Sequence, residues 1–431
     1  MNKLSLSALA AAGLLAGSLA TSANAADLGG NCCADLEERV AELEATTARK
    51  GNRKVSLTVS GWVGQQITFW DDGFESNQYV GDLGRTLSSH VKFTGQATIA
   101  PGWTAGYVLH IEAFNQNSLG QTQTYGNWSG FDALQSYWFI KSDHWGKVGV
   151  GRQSQASDNT AILVDGSGSL VPANWVAFDV NSFNMRLSSA SILGATAGNY
   201  RTWGSVGRCT GGGAWGDCNG LTQNVVRYDT PTFGGFSASA SWGEDDMWDI
   251  ALRYAGEHHG FKFAVAAAYN EITGGTDPNL FFTAGNEPET KYFQIGAYLQ
   301  HIPTGLFLYG AYGNNELEGG AFGPIEFESD TYYIKAGLRR NLNPLGATVF
   351  YGEYLNVDES TNLTLLGQAL LGLPAGELDV WGLGVVQEID AAAMSLWVSY
   401  RHLSYDDGLL GAAGTGVEDF HYVKAGALIN F

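Results

Sequence analysis

Polar and apolar side chains alternate along many short stretches of the chain, and this two-residue period limits its fold more than any other feature. In residues 54–69, Val, Leu, Ile and Phe fall on one side, and most of the polar residues fall on the other. Successive side chains of a β-strand point to opposite faces, so the pattern predicts a strand whose faces meet different media. A run this long exceeds the usual strand of about 5 to 6 residues and suits a tilted membrane strand.

Similar runs follow along the rest of the chain and bring the total to 16, at 86–100, 103–115, 133–142, 146–155, 222–231, 234–243, 247–256, 260–272, 290–302, 305–315, 329–341, 346–357, 378–390, 392–405 and 418–431. Short turns such as "APGW" and "HIPTG" alternate with long loops such as "DDGFESNQYVGDLG". An up-and-down membrane barrel carries short turns on one rim and long loops on the other. We therefore predict an all-β fold, a 16-stranded antiparallel transmembrane β-barrel over residues 54–431.

The chain has no run of 18 apolar residues beyond its first 25, so membrane-spanning helices are not expected there. Only a closed barrel then satisfies every backbone group in lipid. In residues 224–246, Val226 and Tyr228 share one face of a strand, and Arg227 and Asp229 share the other. A barrel of about 16 strands encloses water, so the charged face is expected to line its interior.

Residues 1–25 carry one charge, an apolar run and the sequence Ala23-Asn24-Ala25, which is typical of a cleaved signal peptide. The alternative, a membrane-spanning helix, needs a longer apolar run. Cleavage before Ala26 removes Lys3 and leaves 22 basic and 43 acidic residues, so the mature charge is 22 − 43 = −21. This charge argues against nucleic acid as a partner.

Residues 26–53 contain apolar side chains at alternating four- and three-residue spacing, Leu36, Val40 and Leu43, which are followed by Thr47. The spacing predicts two heptads of a short α-helical coiled coil. A helix this short is marginal alone, so it would associate with copies of itself. The alternative is an amphipathic helix that packs on its own barrel.

The four cysteines form two pairs in a chain expected to reach an oxidising compartment. Cys209 and Cys218 flank the short segment "TGGGAWGD", and we predict a loop disulfide between them. Cys32 and Cys33 are adjacent, so they would pair between chains or stay reduced. Zinc remains an alternative, although neither pair has a second ligand pair at finger spacing. No metal site or cofactor is predicted.

The connection over residues 154–221 is far longer than any other, and a loop of this length is usually functional or disordered. It follows "VGVGRQ" at 148–153 and precedes "NVVRYDTPTFGGFSASASWG". With these motifs in this order, nearly the whole mature chain resembles a trimeric Gram-negative porin, most of all the alphaproteobacterial porins. The segment "DLEERVAELEATTARKGNRKVSLTVSG" also resembles the periplasmic coiled-coil lead of those porins, and Phe431, at the end of "VKAGALINF", resembles their signal for the barrel-assembly machinery.

The resemblance implies a homotrimer whose third loop folds into the barrel and forms a constriction. Loop carboxylates would oppose wall cations there and sort solutes by size and charge. The loop carboxylates are Asp158, Asp165 and Asp179, while Arg186, Arg201 and Arg208 could reverse the local sign. Strand parity places the wall cations Lys92, Arg227, Arg253, Lys335 and Arg339 inward. The plainer role of each loop Asp is to stabilise a turn or a cap.

The predicted function is passive diffusion of ions and small hydrophilic solutes through the outer membrane of a Gram-negative bacterium. The alternatives are a structural barrel tethered by its coiled coil and a substrate-specific uptake channel, with Trp62, Trp138 and Trp397 as inward aromatics. Catalysis is not expected, because the histidines are scattered and no Gly-x-Ser-x-Gly elbow occurs. Acidic loops at 70–73, 244–246 and 405–408 could hold divalent cations that bridge lipopolysaccharide, or they could simply be solvated.

Overall fold

A computed structural model describes residues 54–124, 129–188, 200–209, 213–244, 246–273, 289–319, 325–371, 374–412 and 414–431. The predictions for residues 1–53 lie outside these ranges: the signal peptide, the coiled-coil seam of Leu36, Val40 and Leu43, and the state of Cys32 and Cys33. In the ranges described, no helix combines the length and the apolar character that a membrane span requires.

Strands make up most of the described chain. They are β1 (Thr58–Asp71), β2 (Ser76–Gly81), β3 (Ser89–Ala100), β4 (Trp103–Asn115), β5 (Ser129–Ser142), β6 (Gly146–Gln153), β7 (Gln223–Asp229), β8 (Phe236–Gly243), β9 (Trp248–His258), β10 (Phe261–Thr273), β11 (Glu289–His301), β12 (Leu306–Gly319), β13 (Ile325–Asn343), β14 (Gly346–Thr361), β15 (Gly376–Ile389), β16 (Met394–Asp407) and β17 (Phe420–Asn430). Two short helices, α1 (Leu365–Leu371) and α2 (Gly408–Ala412), lie in long loops and were not predicted from the sequence.

The strands form one closed antiparallel barrel. From β3 onward each strand pairs with the next along the chain. Strand β17 then pairs with β1 from Trp62↔Asn430 to Asp71↔His421. Beyond this register, Gly61 and Phe431 exchange two backbone hydrogen bonds of 3.0 Å. The sheet thus closes on itself between its first and last strands, as a strand-built wall in the apolar interior of a bilayer requires.

Strand β2 is a departure from the predicted pattern. Strand β1 pairs with β3 over residues 58–62 and with β2 over residues 66–71. The two strands β2 and β3 therefore share one position in the wall, and residues 82–88 interrupt it. The prediction of 16 strands is confirmed for the wall, and β2 lies in a stretch predicted to be a loop. Its sequence "SNQYVG" lacks a clear alternation, so only the pairing with β1 reveals it.

The two faces of the wall differ as the alternation predicts. On β1, Val59, Val63, Ile67 and Phe69 are 40 to 55% exposed, whereas the neighbouring Gln66 is buried. Large apolar side chains are exposed in the same way on most other strands. An apolar surface of this extent on a closed barrel is suited to contact with lipid.

The predicted short turns are confirmed, including the one between β7 and β8. Gly234 and Gly235 in this turn have φ angles of 59° and 94°. Glycine tolerates this left-handed conformation because it has no Cβ.

Large buried side chains from residues 154–221 pack against inner-face side chains of the wall. The segment contributes Trp175, Phe183, Met185 and Trp203, among others, and they belong to one hydrophobic cluster with wall residues such as Tyr309. The main hydrophobic core of this barrel therefore involves its longest connection as well as its strands.

Candidate functional site

Residues 154–221 begin where β6 ends, and charged side chains of the wall bind their backbone from the first residue. The guanidinium of Arg227 on β7 donates hydrogen bonds to the carbonyl oxygens of Ser154 and Gln155, at 2.9 and 3.0 Å. It also pairs with Asp229 at 2.7 Å. The alternating Val226 and Tyr228 are exposed on the other face. The charged face of β7 thus anchors the start of the long connection.

Side chains of β9 and β11 also bind the first residues of the long connection. Arg253 on β9 donates to the carbonyl oxygen of Ala156 at 2.6 Å and to Thr160 Oγ1 at 3.0 Å. Asp249, also on β9, accepts from the backbone N–H of Ser157 at 2.7 Å. Gln294 on β11 donates to the carbonyl oxygen of Ser157 at 2.9 Å. Residues 156–160 are therefore bound by side chains of β9 and β11.

Two further predicted wall cations bind the middle of the segment from β13. Lys335 Nζ lies 2.5 Å from Asp165 Oδ2, and both side chains are fully buried. The same Nζ donates to the carbonyl oxygen of Ala173 at 2.8 Å. Arg339 donates to the carbonyl oxygen of Ser167 at 3.2 Å and pairs with Glu388 at 2.6 Å.

Three charged wall residues in these contacts were not singled out from the sequence. Arg401 on β16 donates to the carbonyl oxygen of Asn174 and pairs with Glu353 on β14 at 2.7 Å. Lys424 on β17 pairs with Asp179 at 2.5 Å. All three lie within predicted strands, and the same parity argument that selected Lys335 would have selected them.

Asp158 differs from the other two predicted loop carboxylates because it forms no ion pair in the described part of the chain. Burial raises the pKa of Asp158 to about 6. The nearby Asp249 acts in the same direction, and a hydrogen bond with Ser154 and the charges of Arg227 and Arg253 partly oppose the rise. Burial also raises the pKa of Asp217 in the same segment well above its usual range, with a further contribution from Asp158. Acidic groups are thus concentrated at this point of the segment.

Two arginines of the segment, Arg186 and Arg201, pair with carboxylates, and Arg208 binds a backbone carbonyl. Arg186 Nε lies 2.7 Å from Asp72 Oδ2, in the loop after β1. Arg201 lies 2.7 Å from Glu359 on β14, and both side chains are nearly buried. Arg208 donates to the carbonyl oxygen of Pro374 at 2.7 Å. Asp72 belongs to one of the acidic loops considered as cation sites, but it is buried and already bound by Arg186 and Gln123.

The remaining predicted residues are placed as follows. Cys209 and Cys218 are joined by a disulfide bond. Lys92 is buried on the inner face of β3, opposite His110 on β4 and apart from the contacts described above. Trp62 and Trp397 are buried on the inner face, whereas Trp138 is 51% exposed on the outer face. The suggestion that Trp138 points inward is therefore wrong, because the outward parity of β5 places its indole on the apolar surface.

A polar cavity of about 420 Å³ opens at the rim that carries the short turns. Its lining includes Lys262, Gln300, Arg339, Arg340 and Glu388. Since Arg339 also binds Ser167, this cavity reaches the wall contacts of the long segment.

Comparisons with known proteins agree with this architecture. A family model described as Gram-negative porin matches residues 6–428. Outer membrane porin protein 32 of Delftia acidovorans is 26% identical over 360 residues, which cover 75% of this chain and 90% of that protein.

Two solved structures share the fold. The anion-selective porin from Comamonas acidovorans has a TM-score of 0.57 at 17% identity, and the match covers 88% of this chain and 100% of that chain. The trimer form of in-vitro folded OmpT from Vibrio cholerae has a TM-score of 0.51 at 12% identity, and the match covers 88% of this chain and 99% of that chain.

The family match spans almost the whole sequence, and the closed barrel has the polar inner face that a channel needs. The chain therefore belongs to the Gram-negative porin family and is an outer-membrane channel for the passive diffusion of ions and small hydrophilic solutes, not an enzyme.

Proposed function

We propose that residues 154–221 fold into the barrel as its third loop and narrow the channel. We also propose that the channel prefers small anions and that three copies of the chain form a trimer. One observation carries the constriction: inner-face side chains from β7 around to β17 bind this segment. Arg227 holds its start, Lys335 its middle and Lys424 a residue further along. A segment held at so many points of one wall has little freedom to leave the channel.

The charges on the two sides of the constriction neutralise each other in part. Asp165 and Asp179 are in direct contact with Lys335 and Lys424, so they add little field across the open part of the channel. This differs from the expectation of loop carboxylates facing wall cations across a gap. Selectivity then depends on the inner charges that retain contact with water.

Those partly exposed inner charges have a positive excess. They include the cations Arg85, Lys147, Arg227, Arg253, Lys262 and Arg339 and the carboxylates Asp132, Asp229, Glu257 and Glu388. Among the described residues, Arg253 makes no ion pair and binds neutral oxygens of Ala156, Thr160 and Ser239. We therefore infer a preference for anions, although the chain as a whole is acidic.

Trimer formation rests on the family and on the N-terminal sequence. One related structure, OmpT, is a trimer form. The seam of Leu36, Val40 and Leu43 in residues 26–53 resembles the periplasmic coiled-coil lead of alphaproteobacterial porins and supplies a second contact between copies. Replacing Leu36 and Leu43 by Ser should weaken the trimer on unheated gels, and an unchanged trimer would count against a role for the helix.

The outer surface and the chain end suggest the remaining partners. The exposed apolar face would contact outer-membrane lipids and the acyl chains of lipopolysaccharide, and the acidic outer loops could bind its phosphates through divalent cations. Phe431 projects from this face at 60% exposure, which suits a signal for the barrel-assembly machinery.

The test is conductance of the purified protein in a planar bilayer under a salt gradient. Stepwise openings that close in thirds under voltage are expected for a trimer, and the sign of the reversal potential reports ion preference. A reversal potential that favours cations would overturn the anion preference. Silence from correctly folded protein would contradict an open channel and favour the structural barrel.

A further inference from the structure

A cluster of two histidines and one glutamate lies on the inner face of the wall between β3 and β4. His90 on β3 is directly opposite Glu112 on β4, and His110 lies two residues before Glu112 on the same face. One potential ligand atom from each of the three side chains lies within 4.8 Å of the others. All three side chains are at least nine-tenths buried, and none of them contributes to the binding of residues 154–221 described above.

The hydrogen bonds of this cluster leave several ligand atoms without partners. Both ring nitrogens of His110 are buried without a hydrogen bond, as is Oε1 of Glu112. Buried polar atoms are nearly always satisfied in native proteins, so three such atoms in contacting side chains need an explanation. A bound cation would supply a partner for one ring nitrogen of His110 and for Oε1 of Glu112 at once.

Neighbouring groups orient the other two ligands. His90 Nδ1 lies 3.1 Å from the carbonyl oxygen of Ser88, and a carbonyl can only accept, so Nδ1 carries the proton and Nε2 keeps its lone pair. Glu112 Oε2 accepts from the backbone N–H of Thr86 at 3.0 Å. Thr86 has a φ of 78°, which is rare for a β-branched residue. Metal ligands are commonly held in this way by a second hydrogen bond.

We propose that His90, His110 and Glu112 bind one Zn²⁺ ion in the wall of each barrel. Two imidazoles and a carboxylate are a ligand set that zinc accepts, with water in the open position. Ligand atoms about 2.0 to 2.2 Å from zinc lie roughly 3.4 Å apart in a tetrahedral site, so small side-chain rotations would complete the geometry. Ca²⁺ and Mg²⁺ prefer oxygen ligands and should not bind here.

The charged groups around the cluster decide how tightly the ion binds. Lys92 lies on the same face, opposite His110 across the β3–β4 pair, and its positive charge opposes a cation. The positive charge of Arg85 favours a negative charge on Glu112, and the negative charges of Asp82 and Asp132 disfavour it. Arg85 is paired with Asp132 at 2.6 Å, so Lys92 is the main unfavourable charge nearby. Removing the charge of Lys92 should therefore strengthen binding of the ion, whereas removing a ligand should weaken it.

The experiment measures Zn²⁺ binding to the folded, detergent-solubilised protein by calorimetry after removal of metal with a chelator. Co²⁺ is the spectroscopic probe, because its visible absorption reports a low-coordinate nitrogen and oxygen site. Wild type should bind one ion per chain, and His110→Gln and Glu112→Gln should weaken binding at least tenfold. Lys92→Met should strengthen it. His402→Gln, which removes a histidine that contacts His421 elsewhere, is the matched control and should change nothing.

The outcomes separate the proposal from simple packing of the histidine rings. Absence of Zn²⁺ binding by wild type would overturn it, as would equal binding by wild type and the His110→Gln variant. If His402→Gln weakened Zn²⁺ binding as much as His110→Gln does, the ions would be bound by scattered surface histidines and the proposal would be overturned. Retained trimer and barrel on unheated gels establish that each variant is folded, independently of channel conductance.

Discussion

Lys335 on β13 and Asp165 in the long connection form an ion pair that is entirely excluded from solvent, with Nζ and Oδ2 2.5 Å apart. The same ammonium donates to the carbonyl oxygen of Ala173, so one wall residue fixes two points of the segment. An ion pair in this setting makes the position of the segment sensitive to the loss of either partner.

Replacing Asp165 by Asn should destabilise the folded protein strongly, because it leaves the Lys335 charge buried without compensation. The expected loss is about 3 to 5 kcal/mol, seen as a lower temperature for conversion of the folded band on gels. Asp132→Asn is the control, since the Arg85–Asp132 pair is partly exposed and should contribute only about 0 to 1 kcal/mol. The double variant Asp165→Leu with Lys335→Met should recover most of the loss. Equal effects of Asp165→Asn and the control would contradict a buried pair.

Replacing Arg253 by Gln should move ion preference toward cations. Arg253 is a partly exposed inner cation without an ion pair among the described residues, so its removal reduces the positive excess of the channel. The reversal potential under a salt gradient measures the change. Lys291→Gln is the matched control, because Lys291 lies at the long-loop end of β11 with parity opposite to the buried Tyr292. A shift of equal size in both variants would show that only net charge matters.

Because of Asp158, the stability of the folded protein should decrease as pH rises. An ion-paired carboxylate has the opposite effect, since its contribution is lost as pH falls. Its pKa in the folded protein is about 6, above the ordinary value of 3.8, so the folded state binds the proton more tightly. The stabilising contribution is then complete below the unfolded pKa and is lost as pH rises through the folded pKa.

Asp158→Asn should therefore raise the conversion temperature relative to wild type near pH 7.5, and this difference should vanish near pH 4, because the wild-type carboxyl is then protonated. Heat-conversion gels at both pH values measure it. Lower stability of the variant near neutral pH would indicate that the ionised carboxylate is needed.

Breaking the disulfide should lower stability without abolishing the barrel. Cys209 and Cys218 are 9 residues apart in sequence, and closing a loop of that length contributes roughly 2 to 3 kcal/mol in the chain-entropy account. The double variant Cys209→Ser with Cys218→Ser should show a lower conversion temperature and lose its sensitivity to reducing agent. A reduced wild type that keeps the conversion temperature of the oxidised protein would argue against this contribution.

Much of the barrel could be predicted from local sequence because its period is local. The alternation on β1 and β7, the short turns and the absence of long apolar runs follow from side-chain order alone. The same parity assigns one face to Arg227, Arg253, Lys335 and Arg339, and all four side chains contact residues 154–221. Strand β2 was missed because its position depends on pairing with β1, and the Trp138 error arose because parity was not applied to its strand.

Side-chain order along the chain is enough to predict the strand count of the wall, the different faces of each strand and the exceptional length of one connection, because a two-residue period is recognised without any distant contact. Which charged side chains form ion pairs depends on contacts between distant parts of the chain. Asp165 and Lys335 are 170 positions apart in number, and Asp179 and Lys424 are separated by 245, so no local pattern could pair them. Curvature of the closed sheet and the course of the long segment bring these side chains together, whereas the register of the β3–β4 hairpin places His90 and Glu112 side by side.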